Sequence, residues 1–274
     1  MSARPGAPAD RRQPTIYLPH GGGPCFFMDW DPPDAWTRMA DYLRGLPELL
    51  PEMPRALLVI SAHWEAESAT VTTAANPPLL YDYYGFPPHT YQLKWPAPGS
   101  PALATRVRAL LGDAGIEHAA DATRGFDHGV FVPLKLSWPD AEIPTVQLSL
   151  RQGLDPAEHL AIGRALSPLR DEGVLVIGSG MSYHNMRGFG QPRSLADSQT
   201  FDAWLAATVA AAPAERDARL DDWTRAPAAR QCHPREEHLA PLFVVAGAAG
   251  EDRGVQVFRD RVLAVAVSAF HFGG

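Results

Sequence analysis

Short runs of aliphatic and β-branched residues alternate along this chain with longer segments of mixed polarity. This alternation constrains the fold more than any other feature of the sequence. Several of the runs are apolar at consecutive positions, as strands buried on both faces of a sheet are. The predicted strands are Thr15–Leu18, Ala56–Ser61, Ala69–Thr73, Thr145–Leu150, Val174–Gly178 and Val262–Ala269.

The segments between these runs carry helix signals. Ser100-Pro101 and Asp155-Pro156 each place a capping side chain directly before a proline, the order that is typical of helix starts. The predicted helices are Asp34–Leu46, Ser100–Leu111, Asp155–Arg170, Ser194–Ala212 and Pro234–Ala249. Strands that alternate with helices predict an α/β fold: one domain with a central, mostly parallel or mixed sheet flanked by helices.

Composition and charge exclude several classes of partner. The net charge is −7 and no basic cluster stands out, so nucleic acid is not an expected partner. No apolar run approaches the ~18 residues of a membrane-spanning helix, so no membrane association is expected. Residues 1–14 lack the apolar core of a secretory signal and are predicted to be a flexible tail before a catalytic domain at 15–274. Cys25 and Cys232 do not make a disulfide framework, which fits a reducing, cytoplasmic location. No feature indicates the oligomeric state.

Three histidines come soon after predicted strands along the chain. His20 comes after the first strand in "LPHGGGP", His63 follows the second in "SAHWE", and His184 follows the fifth in "GSGMSYHN". The glycines after His20 match neither the Walker nor the dinucleotide-binding pattern, and we interpret them as a turn that leaves space beside the histidine. Ligands bind beyond the carboxyl ends of strands in open α/β sheets. Convergent imidazoles there predict a transition-metal site.

The remaining histidines have weaker signals. His128 lies in a glycine-flanked loop, and His238 is predicted to lie one turn into the helix that starts at Pro234. His118 and His159 lie in polar stretches that we expect to be exposed. Three further residues are candidates for substrate contacts, since they lie in an aromatic run, in a proline-rich loop and after the last strand: Tyr81, His89 and His271.

Taken together, these motifs are similar to those of a known family. The matching stretches follow one another over nearly the whole chain: "PHGGGP" (19–24), "ISAHWE" (60–65), "YDYYGFP" (81–87), "GFDHGVFVPLK" (125–135), "IPTVQLSL" (143–150), "GSGMSYHN" (178–185) and "HPREEHLAPLFVVAGAA" (233–249). In this order they resemble the class III extradiol ring-cleavage dioxygenases, in particular the branch that is named for DOPA 4,5-dioxygenase.

The resemblance implies a mononuclear metal site and its ligands. His20, His63 and His238 match the metal ligands, with Fe(II) used for ring cleavage and Zn(II) able to occupy the same position. His184 matches the acid/base histidine, or a further ligand when zinc is present, and His128 matches a second active-site histidine near substrate and oxygen. The wider class completes its site with a carboxylate. Here Glu236 and Glu237 adjoin His238, but His238 is the position that matches this branch.

The activity implied by the resemblance is insertion of O2 into a catechol, DOPA-like or other, to give a ring-opened semialdehyde. Nothing in the sequence determines the substituents of the ring. Two alternatives stay open. A zinc-dependent hydrolase could use the same histidine cluster, since zinc with three protein ligands and a water is a common hydrolytic centre. A binding or signalling relative of the fold could retain the histidines without turnover.

Overall fold

A computed structural model describes residues 12–273 of the chain. The strands are β1 (Thr15–Pro19), β2 (Ala56–Ala66), β3 (Ala69–Thr72), β4 (His118–Asp121), β5 (Thr145–Arg151), β6 (Val174–Gly180), β7 (Gly254–Val262) and β8 (Val265–Phe272). The helices are α1 (Thr37–Gly45), α2 (Pro101–Asp113), α3 (His128–Ser137), α4 (Pro156–Leu166), α5 (Ser194–Val209), α6 (Pro213–Asp221), α7 (Ala229–Cys232) and α8 (Ala240–Ala249).

All eight strands form one mixed sheet in the order β4-β3-β5-β2-β6-β1-β8-β7. The four central strands, β5, β2, β6 and β1, are parallel to one another. The pair β3-β4 joins one side in antiparallel orientation, and the hairpin β7-β8 joins the other. The predicted α/β fold with a mixed central sheet is therefore confirmed.

Helices cover both faces of the sheet, as two neighbouring residues of β6 show. A Cβ atom on Gly178 would lie 2.6 Å from the carbonyl oxygen of Pro241 in α8. The hydroxyl of the next residue, Ser179, donates to the carbonyl of Gly129 in α3. Successive residues of a strand point to opposite faces. Helix α8 thus packs against one face of the sheet and α3 against the other.

The sequence predicts two helix N-termini from a polar cap followed by proline, and both are confirmed. The Ser100 hydroxyl accepts from Leu103 N at 3.2 Å, and Asp155 Oδ1 accepts from Glu158 N at 2.9 Å. Other boundaries differ. Helix α8 begins at Ala240, six residues after the predicted start at Pro234, and the segment before it forms bends and a turn. Capping rules predict a helix start correctly when a side chain of the preceding residue caps the helix. Pro234 does not begin a helix but lies in a bend.

The predicted strand at Val262–Ala269 is wrong at its beginning. Leu263 and Ala264 have positive φ values of 44° and 67° and form the turn between β7 and β8. Two strands, β4 and β7, and three helices, α3, α6 and α7, are not among the predicted elements. Strand β7 is a partly exposed edge strand rich in charged residues, and α3 is buried almost throughout, so neither shows the apolar pattern of its class.

The last residues of the predicted tail pack against the domain. Residues 1–11 lie outside the described residues, but Gln13 is fully buried. Its N–H donates to Arg170 O at 3.1 Å, and its carbonyl accepts from Arg170 Nε at 2.7 Å. The domain therefore begins before Thr15. Within residues 12–273, none of the helices combines the length and apolar character that crossing a membrane requires.

Candidate metal centre

Three histidines lie at the carboxyl ends of neighbouring parallel strands. His20 directly follows β1, and His184 lies four residues beyond β6. His63 lies within β2, which continues to Ala66 instead of ending at Ser61. The pairing of β2 with β5 is interrupted between Ile60 and Glu65, so the backbone around His63 is irregular. Because β1, β6 and β2 are adjacent and parallel, their ends bring these histidines to one edge of the sheet.

His238 reaches the same edge from a turn, which corrects the predicted position within a helix. It lies in the turn directly before α8. The carbonyl of His238 accepts from Tyr17 Oη at 2.7 Å and from Met181 N at 3.1 Å. These two hydrogen bonds hold the turn against β1 and the end of β6. The approach is so close that a Cβ on Gly180 would lie 2.2 Å from the same carbonyl oxygen.

The rings of His20, His63 and His238 form a nearly equilateral triangle. Their centres are 4.9 Å apart for His20 and His63, 5.2 Å for His20 and His238, and 4.9 Å for His63 and His238. With metal–nitrogen bonds of about 2.1 Å, three imidazoles at roughly right angles around one ion have ring centres about 5 Å apart. The spacing therefore fits one shared metal ion.

Burial keeps these three imidazoles neutral. Desolvation, reinforced by the neighbouring histidines, lowers the pKa of His20 and of His238 well below the ordinary value. The same two causes lower the pKa of His63 to about 3. The His238 Nε2 atom is buried without a hydrogen-bond partner in the protein. A neutral ring with an unused nitrogen is the state in which histidine binds a metal.

His128 and His184 complete a group of five imidazoles. The ring of His128 lies 3.9 Å from that of His63, and the ring of His184 is stacked on that of His238 at 3.2 Å with 17° between their planes. The cluster contains two groups of possible metal ligands, and within each group the donor atoms all lie within 4.8 Å of one another: His20-His63-His128 and His184-Glu237-His238. The predicted ligand triad takes members from both groups.

Two carboxylates orient histidines of the cluster. Asp82 Oδ1 accepts from His128 Nδ1 at 2.7 Å, and Glu237 Oε1 accepts from Nδ1 of both His184 and His238 at 2.9 Å. Such carboxylate–histidine pairs determine which ring nitrogen remains free for a metal or substrate. Neither contact was predicted, although Asp82 lies in the quoted aromatic motif and Glu237 adjoins His238.

A third carboxylate, Asp127, anchors the backbone around His63 and His128. It is fully buried and accepts from the Ser61 hydroxyl at 2.7 Å, from Arg124 Nη2 at 3.1 Å and from the Gln147 amide. Ser61 Oγ in turn accepts from His63 N at 3.2 Å. The α3 helix begins at His128, where a glycine-flanked loop was predicted. This network therefore links the two histidines that come from β2 and α3.

The cluster lies at the base of a cavity of about 520 Å³. The other walls are mostly apolar, and the glycine loop forms one of them. Gly21 has a φ of +84°, and a Cβ there would lie 2.4 Å from Cys25 Sγ. The loop thus turns where only glycine fits, as interpreted from the sequence. The remaining lining includes Trp30, Trp36, Tyr83, Phe86, Met181 and Phe189.

Comparison with known proteins identifies the family. Residues 14–269 match the family model described as the catalytic LigB subunit of aromatic ring-opening dioxygenase. The chain belongs to this LigB family. It is 38% identical over 256 residues to the 4,5-DOPA dioxygenase extradiol of Beta vulgaris, covering 92% of each chain. It is also 38% identical over 279 residues to the dioxygenase tasH of Hapsidospora irregularis, covering 95% of this chain and 86% of that protein.

Structural comparison agrees with this assignment. The crystal structure of an uncharacterized protein from Escherichia coli K12 matches with a TM-score of 0.77 and 29% identity, covering 96% of this chain and all (100%) of that one. A 4,5-DOPA dioxygenase extradiol of the same species is 34% identical over 242 residues, covering 86% of this chain and 85% of that protein. The resemblance that the sequence motifs indicate is thus confirmed at the level of the family.

The three predicted substrate contacts lie outside the cavity of this LigB-family chain. Tyr81 Oη donates to Leu93 O at 2.5 Å, and exposed His89 Nε2 lies 3.0 Å from Phe27 O. Buried His271 pairs with the Tyr42 hydroxyl at 2.9 Å. None of the three is among the residues that line the cavity. The neighbours Asp82, Tyr83 and Phe86 line it instead.

One further expectation about the histidines is wrong. His159 is fully buried in α4 and was expected to be exposed. Its Nδ1 donates to Asp155 O at 2.7 Å, and its Nε2 accepts from Arg151 N at 3.1 Å. Both ring nitrogens are satisfied by the backbone, so His159 has a structural role. His118 is half-buried in β4, and neither residue lies at the LigB-family cavity.

Proposed function

We propose that this chain is an extradiol dioxygenase that opens the ring of a catechol with O2 and uses Fe(II) as its cofactor. The observation that carries the proposal is the triangle of His20, His63 and His238. His20 and His238 are buried, His63 is half-buried, and all three line a cavity whose walls suit a flat aromatic molecule. Its occurrence in a LigB-family fold favours ring cleavage over the other chemistries of a three-histidine site.

The donor set supports the choice of metal. Three neutral imidazoles suit iron and zinc and are poor ligands for magnesium or calcium. His20, His63 and His238 would hold the ion, and Zn(II) would fit the same three nitrogens. Bound Fe(II) would acidify the catechol hydroxyls and hold the diol beside O2. The protein's contribution is then to orient the ring, exclude water and transfer protons.

His184 is the proposed proton-transfer group. Its Nδ1 donates to Glu237, which leaves Nε2 free to accept a proton from the substrate. Its ring lies parallel to that of His238, with both Nδ1 atoms on one carboxylate oxygen. Of the two Nε2 atoms, that of His238 is buried without a hydrogen-bond partner. We therefore assign the ligand role to His238 and the proton-transfer role to His184.

His128 supplies a second polar contact on the opposite side of the triangle. Asp82 accepts from its Nδ1 at 2.7 Å and from its backbone N–H at 3.0 Å, so both ring and backbone are fixed. The other ring nitrogen is free for a hydrogen bond to a substrate oxygen or to O2. The aromatic walls formed by Trp36, Tyr83 and Phe86 would stack against the catechol ring and exclude water.

The test is ring cleavage by the purified protein. We would purify it without air, load it with Fe(II), and add catechols of different substitution, including DOPA, with and without O2. The expected result is a yellow semialdehyde whose formation matches oxygen uptake. Zn(II)-loaded protein serves as the control and should show neither. Iron bound in the site without turnover of any catechol would contradict the proposal and favour a hydrolase or a binding protein.

A further inference from the structure

The geometry points to Glu237 as the positioning residue that orients two histidines at once, the proposed ligand His238 and the proposed proton-transfer group His184. One oxygen of this carboxylate, Oε1, lies 2.9 Å from Nδ1 of each ring. The metal-binding part of this inference rests on the proposed function, whereas the tautomer part stands on the hydrogen bonds alone.

Glu237 makes few polar contacts other than those with the two histidines. Its side chain is 16% exposed, and its second oxygen, Oε2, is buried without a hydrogen-bond partner. The nearest cation is Arg235, whose Nη1 lies 3.7 Å from Oε2. Arg235 is itself held bidentately by Glu65 at 2.6 and 2.5 Å. The carboxylate is therefore committed to the two imidazoles and is only weakly paired with a charge.

These contacts determine where each ring carries its proton. A carboxylate oxygen only accepts hydrogen bonds, so both Nδ1 atoms must be donors. In neutral imidazole, the second nitrogen is then an acceptor, and Nε2 of both rings is free. For His238 that nitrogen is buried and has no partner in the protein. Glu237 thus prepares one ring to bind a metal and the other to accept a proton, before either ligand arrives.

The shared oxygen also explains the parallel stacking. Two rings that donate to one atom are held in register, and their centres are 3.2 Å apart. Without the carboxylate, the two Nδ1 atoms would lose the acceptor that they share. We therefore expect loss of Glu237 to change both tautomers and to separate the rings.

The first measurement is the tautomeric state of the metal-free wild-type protein. NMR correlation of ¹⁵N-labelled imidazole nitrogens with the ring protons distinguishes Nδ1–H from Nε2–H. We expect His184 and His238 both to be in the Nδ1–H form. An Nε2–H form of either ring in the wild type would overturn the inference, whatever the enzyme's activity and whether or not any variant folds.

The second measurement uses variants and metal affinity. Glu237→Leu should weaken Zn(II) binding, measured by chelator competition, by about 10–100-fold, and should shift both rings toward Nε2–H. Glu237→Gln keeps one acceptor oxygen and should restore part of the affinity. Glu236→Gln is the matched control, because Glu236 pairs with Arg230 at 2.6 Å, away from the cluster.

The outcomes separate this inference from the proposed function. If Glu237→Leu has the same zinc affinity and the same histidine tautomers as the control Glu236→Gln, the carboxylate positions neither ring. A wild type that binds metal and has the expected tautomers, but cleaves no catechol, would contradict only the proposed reaction. Thermal unfolding of each variant shows that a lost affinity does not arise from an unfolded fraction.

Discussion

Five imidazoles share one cavity, and their second nitrogens have different partners. Nδ1 of His20 is buried and has no hydrogen-bond partner in the protein. His63 Nδ1 lies 3.8 Å from Asp82, whereas His128 Nδ1 lies 2.7 Å from it. His184 and His238 share Glu237. Because the partner of one ring nitrogen determines the state of the other, these residues differ in role although they are the same amino acid.

At the residue scale, His184 gives the sharpest prediction for catalysis. His184→Gln should lower kcat by about 10²–10⁴, the usual contribution of a positioned acid or base. Bound iron should stay within twofold of the wild-type content, since His184 is not proposed as a ligand. The measurements are oxygen uptake and metal analysis of the same sample.

His271→Gln is the matched control for His184→Gln. It changes a histidine that pairs with Tyr42 and does not line the cavity, and it should retain turnover. Full turnover by His184→Gln with iron and substrate bound would exclude the acid/base role.

At the element scale, α8 positions the turn that bears His238. The helix is buried along its whole length and lies against β6 and α4. Two glycines allow the two helices to approach. A Cβ on Gly163 of α4 would lie 2.0 Å from Val244 O, and one on Gly247 of α8 would lie 2.1 Å from Leu160 O. Backbone atoms cannot move aside as a side-chain end can, so no larger residue fits.

Gly247→Ala should therefore destabilise the protein, by about 1–3 kcal/mol or more, through overpacking between α4 and α8. Gly45→Ala is the control, since nothing lies within 4 Å of a Cβ at the end of α1. It should be neutral or stabilise by about 0.4–1 kcal/mol, because alanine restricts the unfolded chain. Urea unfolding at equilibrium measures both. Equal midpoints for the two variants would contradict the packing described here.

At the scale of the whole molecule, buried neutral histidines make the fold sensitive to acid. Outside the proposed ligand set, burial lowers the pKa of His271 and of His233 to about 4. His233 Nε2 donates to Ser182 O at 3.1 Å, and its Nδ1 is buried without a partner. A proton added there in the folded state would have no acceptor.

The sign of the pH dependence follows from these values. The unfolded chain binds the proton near pH 6.5, whereas the folded chain binds it only near pH 4, so stability falls as the pH drops through this window. For His271, the loss between pH 7.5 and pH 5 is about 2 kcal/mol. Urea unfolding at pH 7.5 and at pH 5 measures the change in the free energy of unfolding. This change should be smaller in His271→Gln than in the wild type by about 2 kcal/mol. Identical pH dependence would show that His271 binds a proton as readily in the folded state as in the unfolded state, which would contradict its lowered pKa.

The sequence by itself determined the alternation of strands and helices, the capped starts of α2 and α4, and three strand-end histidines. These depend on neighbouring residues, whose propensities and capping act locally. Tertiary structure decided where His238 lies, which carboxylate holds which imidazole, and that Tyr81, His89 and His271 lie away from the cavity. Tyr17 and His238 are 221 residues apart and meet at one hydrogen bond. Such a contact depends on the order of the strands in the sheet and on how α8 packs against it. Short-range sequence patterns carry no information about either.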